Sequence, residues 1–422
     1  MYLSFSFVSG YTFSMVQWEL SGQTRLPIRS WCKEIEDGAL TQARNLADHP
    51  AVRDHVALMP DAHVGYGMPI GGVIACEDAV IPNAVGVDIG CGMGAIKTNL
   101  EADALGDMSA RRSLIEEIKA QIPVGESHSR KIPVPWEGFS AWHDSLGGAP
   151  EPAWFSENMH EKLDEYNLGT LGGGNHFIEL QKSEEGTLWI MLHSGSRNLG
   201  YRIANFYHRQ AVALDADLGI ELPDSNIAYL PAGHDLGSAY IRDMNHALNY
   251  AQENRRVMLN HLKSIIAEHF PAVDYLLEVN IHHNYAALEE HSGTKLWIHR
   301  KGATSARNGE LGIIPGSMGT ASYIVSGLGN PDSFSSCSHG AGRRMGRADA
   351  CRRLSREACD ESMNGIVFDR WKTSQTKGEN GKKLLDLSEA PAAYKDIDSV
   401  IEAEADLVTP IVKLRPVAVV KG

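Results

Sequence analysis

The sequence predicts one large domain of alternating strands and helices, and three observations carry that expectation. Its 422 residues, 43% hydrophobic and 22% charged, have the balance of a globular chain with ample core. Short Val- and Ile-rich runs alternate with longer stretches of helical period. No repeat, low-complexity tract or linker-like stretch cuts the chain.

Taken in order, residues 1–30 read as an N-terminal extension whose order the sequence leaves open, and 31–422 as the domain. The first fourteen residues, MYLSFSFVSGYTFS, are mildly apolar but lack a basic leader region. That argues against a signal peptide and makes Met15 a candidate start. Residues 39–56 have a helical pattern. Residues 60–75, PDAHVGYGMPIGGVIA, place Asp61 and His63 ahead of a Gly-rich turn and a Val/Ile strand. Residues 82–87 are apolar and end in a valine, which suits a buried strand running into a glycine turn. Residues 107–122 are helical. From 123 to 155 Pro, Gly, Ser and Trp dominate, with Arg130 and Lys131 adjacent. This predicts a long surface excursion, more often functional than structureless.

Residues 171–180, LGGGNHFIEL, give a glycine turn and a short strand, and 188–200, LWIMLHSGSRNLG, a buried strand ending in a polar turn. A helix is expected over 201–218. Residues 234–270 sustain a helical period, with Met244, Ala247, Leu248, Ala251, Met258, Leu262, Ile265 and Ile266 on one stripe. A strand follows over 275–285, then two short strands within 297–318. Residues 335–353, SSCSHGAGRRMGRADACRR, form a polar turn entering a basic helix. A helix over 389–408 and a strand over 411–422 complete the order.

The net charge of −14 excludes indiscriminate coating of nucleic acid but not a local basic face. No apolar run is long enough to span a bilayer, so no membrane partner is expected. Six cysteines without paired spacing point to a reducing cytoplasm, with functional or buried thiols.

Residues 82–93, PNAVGVDIGCGM, set Asp88 and Cys91 three apart among Gly86, Gly90, Gly92 and Gly94. Such a turn can aim a carboxylate and a thiol at one point, where a metal is the natural occupant. The alternative is a buried turn with one inert cysteine. His176, His193, His283 and His339 each lie at or just after a strand end, in a polar or Gly-rich turn. One such histidine is more often a hydrogen-bonded structural residue; four of them, with Asp88 and Cys91, resemble a ligand set drawn from separate strands. Cys and His together suggest zinc. The carboxylate and a shared thiolate also allow two ions and a harder metal such as manganese, a pair suited to gripping phosphate oxygens. Gly/Ser turns can add anion-binding nests. His339 differs, being flanked by small residues and followed by Arg343, Arg344 and Arg347, which can pair with phosphate. A neutral imidazole there can attack phosphorus and carry the group covalently.

Ten stretches then carry a resemblance: MPDAHVGYG, GVDIGCGM, LGGGNHFIE, LHSGSR, HHNY, KGATSAR, IIPGSMG, SCSHGAGR, YKDID and VKG. In this order, from about residue 31 to 422, they resemble the RtcB family of RNA-splicing ligases. The resemblance implies an α+β fold of mixed sheets packed by helices around a central dinuclear metal cleft. It implies two Mn²⁺ ions bridged by Cys91, with Asp88 and His176 on one and His193 and His283 on the other. His283 is preferred to His282 because the family's ligand directly precedes the asparagine. The guanylylated histidine falls on His339. The guanosine nucleotide is expected on Asn175, Glu179, Ser317, Gly340, Arg343, Tyr394 and Lys421, with Tyr394 stacked on the base and Lys421 near its edge. Arg197 is expected to meet the RNA phosphate.

The implied reaction joins an RNA 2′,3′-cyclic phosphate or 3′-phosphate end to a 5′-hydroxyl end with GTP, in tRNA splicing or RNA repair. Two other classes stay open, a metallophosphoesterase that opens cyclic phosphates without joining and a non-catalytic RNA-binding protein. An activating protein partner, the oligomeric state and the natural RNA are not legible in the sequence.

Overall fold

The computed structural model describes residues 14–126, 128–156, 161–378 and 381–422. Of the expected extension, residues 1–13 lie outside this set. The remainder supplies two short strands, Trp18–Leu20 and Ile28–Ser30, to a sheet edge. Among the described residues no helix is long and apolar enough to cross a membrane.

The architecture is α+β, with two large sheets among the described residues. The six-stranded sheet runs Trp18–Leu20, Ile28–Ser30, Val52–Tyr66, Met68–Cys76, Thr294–Lys301, Asn284–His291. Its one parallel pairing joins Ile28–Ser30 to Val52–Tyr66, so the sheet is mixed. The seven-stranded sheet runs Tyr275–His282, Gly92–Glu101, Thr187–Ser194, Phe177–Ser183, Val408–Lys421, Ser322–Gly327, Leu311–Ile314 and is antiparallel throughout.

The predicted apolar stripe becomes the 35-residue helix Asp235–His269, about 52 Å long at 1.5 Å per residue. Met258, Leu262 and Ile265 bury against one face of the seven-stranded sheet, beside Ile118 of the helix Met108–Gln121 and Ile190 and Leu192 of the sheet. Residues of the opposite pleat, Met93, Ala95, Trp189 and Met191, fill the other face, as period-2 alternation requires.

Several expected elements are corrected. Residues 82–87 are not a strand: Pro82–Val85 is a short helix, because proline presets the first helical turn and cannot donate to a ladder. Gly86, at φ +96°, ends it, and the strand starts only at Gly92. The helix expected over 39–56 is Asp37–Ala47, since Pro50 disfavours helical backbone before it and a strand starts at Val52. The strand expected over 275–285 breaks at His283, where the chain passes from the seven-stranded to the six-stranded sheet. The stretch 297–318 holds the end of Thr294–Lys301 plus Ala303–Ser305 and Leu311–Ile314. Of the helix expected over 389–408 only Ile397–Ala403 forms, because Pro391 opens a separate short turn and Val408 already starts a strand. His176 precedes its strand, Phe177–Ser183, rather than following one.

The excursion over 123–155 is not confined to the surface. Phe139, Trp142 and Trp154 are buried against the long helix. There the fully buried Asp243 accepts hydrogen bonds from Trp142 Nε1 (2.8 Å), Trp154 Nε1 (2.8 Å), Tyr207 Oη (2.6 Å) and Arg242 Nε (2.8 Å). Asp243→Ala strands these donors in a low-dielectric core. The expected cost is about 3–5 kcal/mol, read as a lower urea midpoint, with Asp243→Asn falling between the two.

Candidate active site

Antiparallel pairing puts distant residues on one rim. Along the seven-stranded sheet, strand ends and starts alternate, and the register pairs His282 with Gly92, Met93 with His193, His193 with Phe177, and Phe177 with Lys421. Cys91, His176, His193, His283 and Lys421 therefore lie at one end of five adjacent strands. The turn carrying Asp88 and Cys91 depends on Gly90, whose φ is +75° and where a Cβ would stand 2.8 Å from Ala251 of the long helix.

The side chains form a continuous set of contacts. Asp88 Oδ2 is 3.4 Å from His176 Nε2. His176 Nε2 is 3.5 Å, and His193 Nε2 3.2 Å, from Cys91 Sγ. His193 Nε2 is 3.3 Å from His283 Nε2. The donor atoms of Cys91, His176 and His193 all lie within 4.8 Å of one another. His282 turns away, its Nδ1 beside Arg255 and the Gly90 carbonyl.

This arrangement fits a metal. His176 Nδ1–H donates to the Leu171 carbonyl (2.9 Å) and His193 Nδ1–H to the Asn175 carbonyl (3.1 Å), so each Nε2 presents a lone pair to the cluster. Burial holds the His193 and His283 imidazoles well below their usual value, aided at His193 by His176 and at His283 by His339. Neutral rings that turn lone pairs to one point make a ready cation site. His283 Nδ1 is also buried without a partner. Burial and then Asp88 push the Cys91 thiol well above its ordinary range, a penalty a bound cation removes. Burial also opposes ionisation of Asp88, yet its contacts with His176 hold it below the usual carboxylate range. Asp88, Cys91, His176, His193 and His283 could thus hold one or two metal ions.

The other wall comes from the six-stranded sheet and a two-stranded sheet that contacts it. His339 follows the strand Ser336–Ser338, which lies against Val52–Tyr66, and its ring centroid is 4.9 Å from that of His283. His339 Nδ1–H donates to Asp61 Oδ2 at 2.6 Å, and its backbone N–H reaches the same oxygen at 3.3 Å. Asp61 is fully buried. The carboxylate fixes the tautomer and leaves the Nε2 lone pair free. Behind it, Glu404 accepts the Ser338 N–H at 2.9 Å, and burial pushes its carboxyl up to about 8.

Asp88, Cys91, His193, His283 and His339 share a cavity of about 320 Å³ with Glu179, Ser317, Gly340, Arg343, Tyr394 and Lys421, while His176 lines the neighbouring cleft. Burial raises the Glu179 carboxyl to about 7, and Gln181 Nε2 donates to it at 2.6 Å. Asn175 borders this cavity and gives its carbonyl to Lys421 Nζ at 3.0 Å. Tyr394 Oη donates to Glu389 Oε2 (2.6 Å), and the Arg343 guanidinium lies 4.9 Å over its ring. One face of Tyr394 is therefore already covered. Glu389 also pairs with Lys421 (2.9 Å), Arg343 (3.2 Å) and Arg347 (3.5 Å).

A larger cleft of about 820 Å³ adjoins, sharing Asp88, Asn175, Arg347, Glu389 and Lys421. Arg197 lines it at the start of the helix Arg197–Asp217, at φ +57°, a conformation an arginine adopts only when its surroundings hold it. Its Nε donates to Thr170 Oγ1 at 3.2 Å, and a Cβ on Gly172 would lie 2.1 Å from its guanidinium, so only glycine leaves it room.

Sequence reasoning missed Asp61, Glu389 and Glu404 as site residues, along with Lys301, whose buried Nζ donates to the Tyr66 and Asn83 carbonyls. Asp61 stands in a quoted motif and Glu389 just before YKDID, but their partners are far along the chain.

Comparison with known proteins gives one consistent result. The family model for tRNA-splicing ligase RtcB matches residues 42–422. An RNA-splicing ligase RtcB of Escherichia coli is 38% identical, the alignment covering 96% of this chain and 100% of that protein. A tRNA-splicing ligase RtcB of Nanoarchaeum equitans is 31% identical, over 96% and 98%. An RNA-splicing ligase RtcB of Mycobacterium bovis is also 31% identical, over 90% and 100%.

Proposed function

The chain belongs to the RtcB family of RNA ligases, and from that premise we propose that it joins an RNA 2′,3′-cyclic phosphate or 3′-phosphate end to a 5′-hydroxyl end, with GTP and two Mn²⁺, in tRNA splicing or RNA repair. The observation that carries this reading is a cluster of five donor residues, four of which line the same cavity as a carboxylate-oriented histidine.

Cys91 would bridge the two ions, with Asp88 and His176 on one and His193 and His283 on the other. Bound there, they supply positive charge to phosphate oxygens. His339 Nε2 attacks the α-phosphorus of GTP; the bond to pyrophosphate breaks as the N–P bond forms. The Asp61 carboxylate stabilises the positive charge left on the imidazole. A cyclic end is first opened by water to a 3′-phosphate; GMP then passes to that phosphate, the N–P bond breaking as the new O–P bond forms, and the 5′-hydroxyl oxygen attacks the activated phosphate, giving up its proton and expelling GMP. Asn175, Glu179, Ser317, Gly340, Arg343, Tyr394 and Lys421 hold the guanosine nucleotide, and Glu389 must release Lys421 and Arg343 in part as it enters. Six free thiols are in keeping with a cytoplasmic protein.

The test incubates the protein with α-labelled GTP and Mn²⁺, denatures it, and separately offers 3′-phosphate or 2′,3′-cyclic-phosphate RNA with 5′-hydroxyl or 5′-phosphate acceptors. A label surviving denaturation, with joining only to the 5′-hydroxyl, is expected. Opening of cyclic phosphate with neither label nor joining would identify a phosphoesterase instead. Arg197→Ala is expected to form the adduct normally but to join about 10²–10³-fold more slowly, the loss of one charge-assisted contact in the transition state. Normal joining by this variant removes that role.

A further inference from the structure

Residues 343–383 carry eleven Lys and Arg against six Asp and Glu, in a chain whose net charge is −14. They fold as the helices Arg347–Arg353 and Arg356–Ser362 and then a hairpin of the strands Thr373–Lys377 and Lys383–Leu385. Part of this charge is spent locally: Arg343 and Arg347 pair with Glu389, Arg352 with Asp349, and Arg356 with Asp360. Arg370, Lys372, Lys377 and Lys383 are exposed, and none has a carboxylate at ion-pair distance among the described residues.

Two features give these four a direction. Arg370 and Lys372 border the larger cleft, which Asp88 and Lys421 also line, so the row starts at the candidate active site. Lys377 and Lys383 stand directly opposite each other across the hairpin. Like charges in that register cost stability, and an anion lying between them reverses the sign. From Lys372 to Lys377 the extended chain covers about 16 Å, a length that several phosphates of a nucleic acid strand also cover. Trp371, between Arg370 and Lys372, is fixed through its Nε1–H on Asp360 (2.8 Å) and by Phe368 (ring centroids 5.1 Å). The cations on either side of it are thereby presented from a rigid base.

We propose that Arg370 and the hairpin lysines Lys372, Lys377 and Lys383 form a track for the phosphodiester backbone of single-stranded RNA outside the reaction centre, which rests on the reading of this chain as an RNA ligase. The track holds phosphate, not bases, so it adds affinity without selecting sequence.

The experiment measures binding of the full-length protein to a short fluorescein-labelled single-stranded RNA across a series of KCl concentrations, without GTP or metal. The variant Lys372→Gln/Lys377→Gln/Lys383→Gln is compared with Lys33→Gln/Lys182→Gln/Lys295→Gln, which removes the same charge from surfaces away from the cleft. The logarithmic salt dependence is expected to flatten by about 2 for the hairpin variant, at about 0.7 per lost phosphate contact. The second variant should keep the wild-type slope. Equal slopes in the two variants overturn the proposal, as does wild-type binding that does not vary with salt. Failure of the proposed reaction is read separately: a wild-type protein that takes no GMP label and joins no ends overturns that reaction, whatever the salt slope shows.

Discussion

Replacing His339 with alanine is expected to abolish the denaturation-resistant GMP label while leaving fold and metal content nearly unchanged. The side chain is half-buried at the edge of the donor cluster, and its one strong bond is to Asp61. Removing it takes away the proposed nucleophile but no member of the donor set. Asp61→Asn gives the sharper comparison. An asparagine can offer an N–H to Nδ1 and so move the ring proton to Nε2, the atom that must attack. Labelling is then expected to slow by about 10²–10⁴-fold, with circular dichroism and metal content unaltered. A His339→Ala protein that labels fully at another residue sinks the assignment. An Asp61→Asn protein that labels at the wild-type rate leaves Asp61 a structural partner only.

Cys91→Ala is expected to lose both metal ions and, with them, label and joining together. Its sulfur lies between the imidazoles of His176 and His193, so its removal opens the centre of the cluster rather than one end. Cys91→Ser keeps a donor of similar size but replaces a soft thiolate with a weakly acidic hydroxyl, and should retain little metal. Cys351→Ala is the control, since its thiol faces Asp386 (3.7 Å) and is not one of the clustered donor atoms. Metal content by elemental analysis after dialysis decides the matter. Two equivalents retained by Cys91→Ala, alongside activity, would remove the cluster from the mechanism.

Both predictions concern residues visible in the sequence, and the way they were visible is instructive. Asp88, Cys91 and the histidines stand out because chemistry-bearing side chains beside glycines are unusual. That local signal survives without knowing which strands pair. The strand assigned to 82–87 failed for a local reason too, since Pro82 fits a strand of apolar residues by composition but not by hydrogen bonding. The break at His283 was invisible, because both flanking runs are good strands and only the sheets they join differ. Asp61 and Glu389 were missed because a buried acidic residue is defined by its partners. Those are His339 in one case and Lys421, Arg343 and Arg347 in the other. The 123–155 segment reads as surface because its Pro, Gly and Ser break any regular period, and the long helix that buries Phe139, Trp142 and Trp154 lies about a hundred residues further on.

Assembly order follows from the position of the strand Val408–Lys421. It lies inside the seven-stranded sheet, between Phe177–Ser183 and Ser322–Gly327, and Ala418 pairs with Leu180. Until that late segment emerges from the ribosome, Phe177–Ser183 has a bare edge on this side, and the rim bearing His176 lacks its neighbour. Pairing so remote in sequence closes slowly, and an unpaired edge in the waiting chain invites contact with other chains. Newly made protein should therefore pass through an aggregation-prone stage in which the donor cluster is incomplete, and chaperone demand during synthesis should exceed what the stability of the finished fold suggests.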